Sequence, residues 1–295
     1  MSGVGRGAVQ EAAVRIAPFV HRTPVLRSHS LDEWIGAEVF VKAEHLQRVG
    51  AFKYRGATNA VQSLRESEAR RGVAAHSSGN HAAALALAAA TRGVPAYVVM
   101  PANASAAKRA AVERYGGEVT TCDNTLDARR AVLADVLGRT GAIEIHPFDD
   151  ERVIAGAGTA ALELTQEVAD LDVFVTPIGG GGLCSGTCIA VAPARVIGGL
   201  PRDRVSTRAD GLRTGVSGRT GAILREHGVD QIIVDEPEIV AAMRVVWERT
   251  KQLIEPSAAV AFAAARAAAL HGELDGARVG VICSGGNVDL DALSW

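Results

Sequence analysis

The stretch Gln47-Arg48-Val49-Gly50-Ala51-Phe52-Lys53-Tyr54-Arg55-Gly56 sets one lysine between an aromatic side chain and a glycine-bearing turn. Apolar spacing predicts a helix over Thr58 to Arg71 just after it. Glu38-Val39-Phe40-Val41-Lys42, just before it, reads as a strand. A lysine at the mouth of a helix is ordinarily a solvated surface charge. Three further turns change that reading: Ser77-Ser78-Gly79-Asn80-His81, Gly179-Gly180-Gly181-Gly182 and Ser284-Gly285-Gly286-Asn287. Each follows an apolar run of strand character.

Outward from these turns the chain alternates. Strands are predicted at Gly72 to His76, Val94 to Met100, Glu118 to Cys122, Ala142 to Ile145, Val173 to Thr176, Ala194 to Ile197 and Arg278 to Cys283. Helices are predicted at Ala8 to Ala17, Ser30 to Ile35, His81 to Arg92, Ser105 to Tyr115, Thr125 to Leu137, Ala157 to Val168, Leu183 to Ala192, Val240 to Lys251 and Ala258 to Leu270. Gly198 to Arg208 carries little pattern. Strands separated by helices of this length imply an α/β protein of open parallel sheets covered on both faces. Such sheets take ligands at the carboxyl ends of their strands, where all three turns fall.

Composition narrows the function classes. The chain has 295 residues, 48% hydrophobic and 22% charged, which suits a folded protein of two domains. A net charge of -2 argues against nucleic acid and anionic membranes as partners. No apolar run is long enough to span a bilayer, and Met1 to Gln10 has no secretory pattern. The cysteines at 122, 184, 188 and 283 have no metal-ligand spacing, so buried thiols in a reducing, cytoplasmic compartment are expected.

The glycine run carries the plainest chemistry. Strand, four glycines and helix make a phosphate cradle: the backbone approaches closely, successive N–H groups converge on an anion, and the helix start adds positive charge. It is not a dinucleotide fingerprint, because Cys184 or Ser185 occupies the third glycine position. In the turn from Ser77 to His81, one or two residues are ordinary helix caps. Five polar or glycine residues together suit a substrate carboxylate, with Ser77, Ser78, Asn80 and His81 as the candidate contacts. His81 alone is ordinarily structural. Ser284 is either a turn serine or a hydroxyl aimed at a ligand.

Taken together, these segments resemble the fold-type II pyridoxal-phosphate enzymes, in the serine/threonine dehydratase and serine racemase branch. The resemblance rests on His21 to Pro24, Gly50 to Ala57, Ser77 to His81, Gly156 to Thr159, Gly179 to Gly182, Ala209 to Gly211, Glu255 to Ser257 and Ser284 to Leu290, in family order. It implies two α/β domains with pyridoxal 5'-phosphate in the cleft between them. The large domain is expected at residues 1–71 with 148–295, and the small one at 72–147. Lys53 is implied as the Schiff-base lysine and Phe52 as the residue beside the ring. Asn80 is implied for the phenolic oxygen, Gly179, Gly180, Gly181 and Gly182 for the phosphate, Ser284 for the ring nitrogen and Ser78 for an opposite-face acid or base. A hydroxyl at the ring nitrogen leaves the ring a weaker electron sink, which favours elimination over transamination.

The expected reaction is therefore β-elimination from L-threonine or L-serine to a 2-oxo acid and ammonia, by a cytoplasmic homodimer acting on a small amino acid. 3-Hydroxyaspartate dehydration and serine or aspartate racemisation are the alternatives. A relative that keeps the pocket only for binding is the rival, opposed by intact Lys53, Ser78, Asn80 and Ser284. The chain departs from the family between Ile197 and Ala209. That segment is short, and Leu200 stands where the family has glutamate. No metal site is expected.

Overall fold

The computed structural model describes residues 3–290. Its strands are β1 (Val25–Leu26), β2 (Glu38–Lys42), β3 (Val73–His76), β4 (Ala96–Pro101), β5 (Glu118–Cys122), β6 (Ile143–Glu144), β7 (Val173–Pro177), β8 (Arg195–Pro201), β9 (Asp230–Val234) and β10 (Arg278–Ile282). Its helices are α1 (Arg6–Ile16), α2 (His29–Ile35), α3 (Lys53–Gln62), α4 (Glu66–Ala69), α5 (Asn80–Arg92), α6 (Ala106–Arg114), α7 (Leu126–Thr140), α8 (Glu151–Glu167), α9 (Gly182–Val191), α10 (Gly218–Glu226), α11 (Glu236–Thr250) and α12 (Pro256–Leu270).

Two sheets result, in the orders β1-β2-β10-β7-β8-β9 and β5-β4-β3-β6. All pairings are parallel except β1 with β2. The larger sheet is covered on one face by α2, α11 and α12 and on the other by α1, α8, α9 and α10. Both faces being buried, its central strands read as continuous apolar runs. The smaller sheet packs α5 and α6 against Val98 and Met100 and α7 against Ala74 and Val99. Helix α3 lies where the two meet, with Tyr54, Ala57 and Val61 in one cluster with Leu85 of α5 and Val153 of α8. Every strand of the smaller sheet falls within 72–147 and every strand of the larger outside it. The division into residues 1–71 with 148–295 and 72–147 is proposed on that ground.

The structure corrects two readings and adds two elements. The helix expected over Thr58 to Arg71 is two helices, α3 and α4, and Lys53 opens the first rather than preceding it. Arg65 ends the continuity, because its backbone N–H is capped by Glu68. The strand expected to stop at Ile197 runs to Pro201 through two glycines. A Cβ on Gly199 would lie 2.9 Å from the Val260 carbonyl, so glycine here permits α12 to lie close on the sheet. Helix α10 and edge strand β9 went unread. Strand β9 is largely exposed, so it lacks an apolar signature.

Candidate active site

The glycine turn joins β7 to α9 at the carboxyl edge of the larger sheet. Added Cβ atoms show how closely it is lined: on Gly179 one would lie 2.7 Å from the Gly211 carbonyl, and on Gly181 2.8 Å from Thr220 Cβ. On Gly180 it would enter the Phe148 ring. Gly181 has φ +90°, the left-handed region that glycine favours. None of the N–H groups from Gly179 to Cys184 reaches a backbone acceptor among the described residues. A cradle of free donors at a helix start fits a phosphate.

Lys53 lies next to this turn through Pro147 and Phe148. Its Nζ donates to the Pro147 carbonyl at 2.8 Å and sits 5.0 Å from the Phe52 ring centroid. Desolvation lowers the Lys53 pKa to about 8, against an opposing pull from the Glu255 charge. A lysine amine that is partly neutral near pH 8 can attack a carbonyl or take a proton. The Phe52 N–H donates to the Ser284 carbonyl at 3.0 Å, and Ala51 bridges to Gly285, so β10 and the lysine turn are joined backbone to backbone. Ser284 is buried just beyond the end of β10.

The turn from Ser77 to His81 leads from β3 into α5. Ser77 Oγ accepts from the Gly79 N–H at 3.4 Å, and Ser78 is half-buried. Asn80 opens α5, and its Nδ2 donates to both Glu255 carboxylate oxygens at 3.0 and 3.1 Å. Asn287 Nδ2 donates to Asn80 Oδ1 at 2.9 Å and to the Val49 carbonyl at 2.7 Å. These bonds orient the Asn80 amide, because turning it over would set its oxygen against a carboxylate. His81 is turned inward, buried, with Nε2 2.9 Å from the Ile145 carbonyl. Burial, then the Lys53 charge, lowers its pKa to about 3. That placement ties α5 to the segment after β6 and does not present the ring to an open cleft.

The structure thus links Phe52, Lys53, Asn80, Gly179 to Gly182 and Ser284 through Pro147, Phe148, Glu255 and Gly285, with Ser77 and Ser78 on the turn beside Asn80. Sequence reasoning left Glu255 without a role. Its only sequence signal was a glutamate at a helix start, where Ser, Thr, Asp or Asn is usual; in the structure its side chain makes no cap hydrogen bond. Burial pushes its carboxyl up to about 7, against the lowering effect of the Asn80 bond. Phe148 and Arg204 carried no sequence signal. Leu200 is buried within β8, Asp203 bonds its own loop and Asp210 pairs with Lys108.

The fold and site have known counterparts. A β-hydroxyaspartate dehydratase of Paracoccus denitrificans (strain Pd 1222) is 43% identical over 304 residues, covering 95% of each chain. The structure of maize serine racemase superposes with a TM-score of 0.94 at 40% identity, covering 98% of this chain and 95% of that one. The serine racemase of Dictyostelium discoideum does so with a TM-score of 0.93 at 43% identity, covering 97% and 99%. The family model described as pyridoxal-phosphate dependent enzyme matches residues 16–285. The lysine, the glycine cradle and the hydroxyl at the end of β10 fit that cofactor, and the chain belongs to the fold-type II pyridoxal-phosphate-dependent enzymes.

Proposed function

We propose that this protein is an ammonia-lyase that converts 3-hydroxyaspartate to a 2-oxo acid and ammonia, with serine elimination or racemisation as a secondary activity. Similarity to a β-hydroxyaspartate dehydratase and a serine racemase favours this over the L-threonine or L-serine dehydration that the sequence reading put first. Arg129 is the carrying observation. Its Nε is buried without a hydrogen-bond partner among the described residues, while its Nη2 donates to Asn124 Oδ1 at 2.6 Å. The guanidinium is near enough to His76, the last residue of β3 before Ser77, to help burial lower that imidazole's pKa. A guanidinium N–H left unpartnered close to His76 and the turn that follows it suits a second carboxylate, which serine and threonine lack.

When bound, the cofactor takes up the electron pair left at the substrate α-carbon. The chain's groups then divide the remaining work. Lys53 Nζ, neutral above about pH 8, accepts the α-proton. The Ser78 hydroxyl carries a proton at the other face, which is the requirement for racemisation. The Asn80 amide would donate to the cofactor's phenolic oxygen, the Ser284 hydroxyl would meet its ring nitrogen, and the N–H groups of Gly179 to Gly182 would hold its phosphate. Phe52 and Phe148 keep water from Lys53. The buried free cysteines support a reducing, cytoplasmic compartment, and a homodimer is proposed on the family resemblance.

The test is ammonia and 2-oxo acid release from 3-hydroxyaspartate isomers, serine and threonine, with wild type and Arg129→Gln. Wild type should prefer 3-hydroxyaspartate. The variant should lose about 10- to 100-fold in kcat/KM on that substrate, the range for a bond to a charged group, and little on serine. Preference for threonine, or equal losses on all substrates, would refute the assignment.

A further inference from the structure

The loop after β8 is shaped by Asp203. Its Oδ1 accepts from the N–H groups of Val205 at 2.8 Å and Ser206 at 3.3 Å, and its Oδ2 accepts from Ser206 Oγ at 2.5 Å. That turn leaves Arg202 and Val205 in solvent and sends Arg204 inward, half-buried. Arg204 Nη1 donates to the Gly179 carbonyl at 3.3 Å and the Thr214 carbonyl at 2.8 Å. Thr220 Oγ1 donates to the next carbonyl, that of Gly180, at 2.8 Å. Two successive carbonyls of the glycine turn are therefore held by side chains. In a trans peptide the C=O and the following N–H point opposite ways. Holding these two carbonyls turns the N–H groups of Gly180 and Gly181 to the other side.

Arg204 also carries a charge that no carboxylate balances. No ion pair involves it among the described residues. Burial lowers its pKa from the ordinary value, and no acid raises it back. A half-buried cation without a counter-ion is placed to favour an anion that comes near.

We propose that Arg204 is a positioning residue for the cofactor phosphate, fixing the Gly179 carbonyl and supplying positive charge behind the glycine turn. This rests on the reading of Gly179 to Gly182 as the phosphate site. It assigns a task to the segment between Ile197 and Ala209, where the sequence departs most from the family it resembles.

The test compares pyridoxal 5'-phosphate with pyridoxal, which lacks the phosphate. Dissociation constants are measured by fluorescence on the cofactor-free protein, wild type, Arg204→Gln and Arg204→Lys, alongside the melting temperature of each. Arg204→Gln should weaken pyridoxal 5'-phosphate about 10- to 100-fold, as for loss of a charged partner, and pyridoxal by less than about twofold. Its melting temperature without ligand should hold. Arg204→Lys keeps the charge, so its loss should be smaller and again confined to the phosphorylated ligand; it remains readable if the glutamine variant does not fold. Equal weakening of both ligands, or of neither, overturns the proposal and assigns Arg204 a structural role. Wild type that binds both ligands equally overturns the phosphate reading of the glycine turn itself.

Discussion

Replacing Lys53 with methionine should stabilise the cofactor-free protein at neutral pH, and the gain should fade in alkali. The folded lysine has a pKa of about 8 against 10.5 for the ordinary side chain, with burial as the leading cause. Below pH 8 both folded and unfolded chains carry the charge, and the folded one holds it at a cost of about 3 kcal/mol, at about 1.36 kcal/mol per unit. Between pH 8 and 10.5 the folded lysine is neutral while the unfolded one still binds a proton, so wild-type stability rises relative to the variant. Above 10.5 the contribution vanishes. The variant also loses the bond to the Pro147 carbonyl, about 1 kcal/mol at every pH. The net expectation is a gain of about 2 kcal/mol at about pH 7 that shrinks to near zero by about pH 10. Urea unfolding of both proteins at the two pH values measures it, and the comparison cancels every other titrating group. A difference that is the same at both pH values would refute the lowered pKa and, with it, the neutral amine that proton abstraction needs.

Three other outcomes are expected. Gly180→Ala should destabilise the fold by about 1–3 kcal/mol through overlap with Phe148, and adding Phe148→Leu should recover part of it in thermal melts. Glu255→Gln removes a negative charge that raises the Lys53 pKa, so the acidic limb of the kcat–pH profile should move to lower pH; an unmoved limb would separate the two groups. The Lys108–Asp210 ion pair joins α6, beside the smaller sheet, to the turn that packs on Gly179. It is half-exposed, so Asp210→Asn should raise KM by at most about fivefold with kcat kept, and the effect should weaken in high salt.

The sequence was most legible where local rules suffice. Gly93 takes the left-handed cap expected of it at φ +75°, and Ser105 and Thr125, the first residues of two predicted helices, are the N-caps of α6 and α7. The glycine turn was legible because four glycines between a strand and a helix have few other uses. Glu255, Asn287 and Arg204 were not, because their partners lie 175, 207 and 25 residues away in Asn80, again Asn80, and Gly179. No window of local periodicity reports such pairings. β8 was cut short for a related reason: Gly199 answers to α12 and Gly198 to Ile178, both tertiary neighbours, and the pair reads locally as a break.

The orientation of Lys53 follows from a residue that does no chemistry. Arg55 is fully buried two positions along α3. It donates to Glu44 at 2.7 and 2.8 Å and to Glu163 at 2.7 and 2.8 Å. Glu163 also meets buried Lys42 at 2.9 Å, and Thr23 Oγ1 donates to Glu44 at 2.5 Å. Two residues along a helix are turned by about 200°. With Arg55 locked between the segment after β2 and α8, Lys53 is obliged to face the other way, toward Pro147 and the glycine turn. Breaking one partner of such a buried set leaves a charge uncompensated, at a cost of about 3–5 kcal/mol. The same network that makes α3 rigid therefore sets the direction of the reactive amine, so a change at Glu44 or Glu163 should act on Lys53 without touching it.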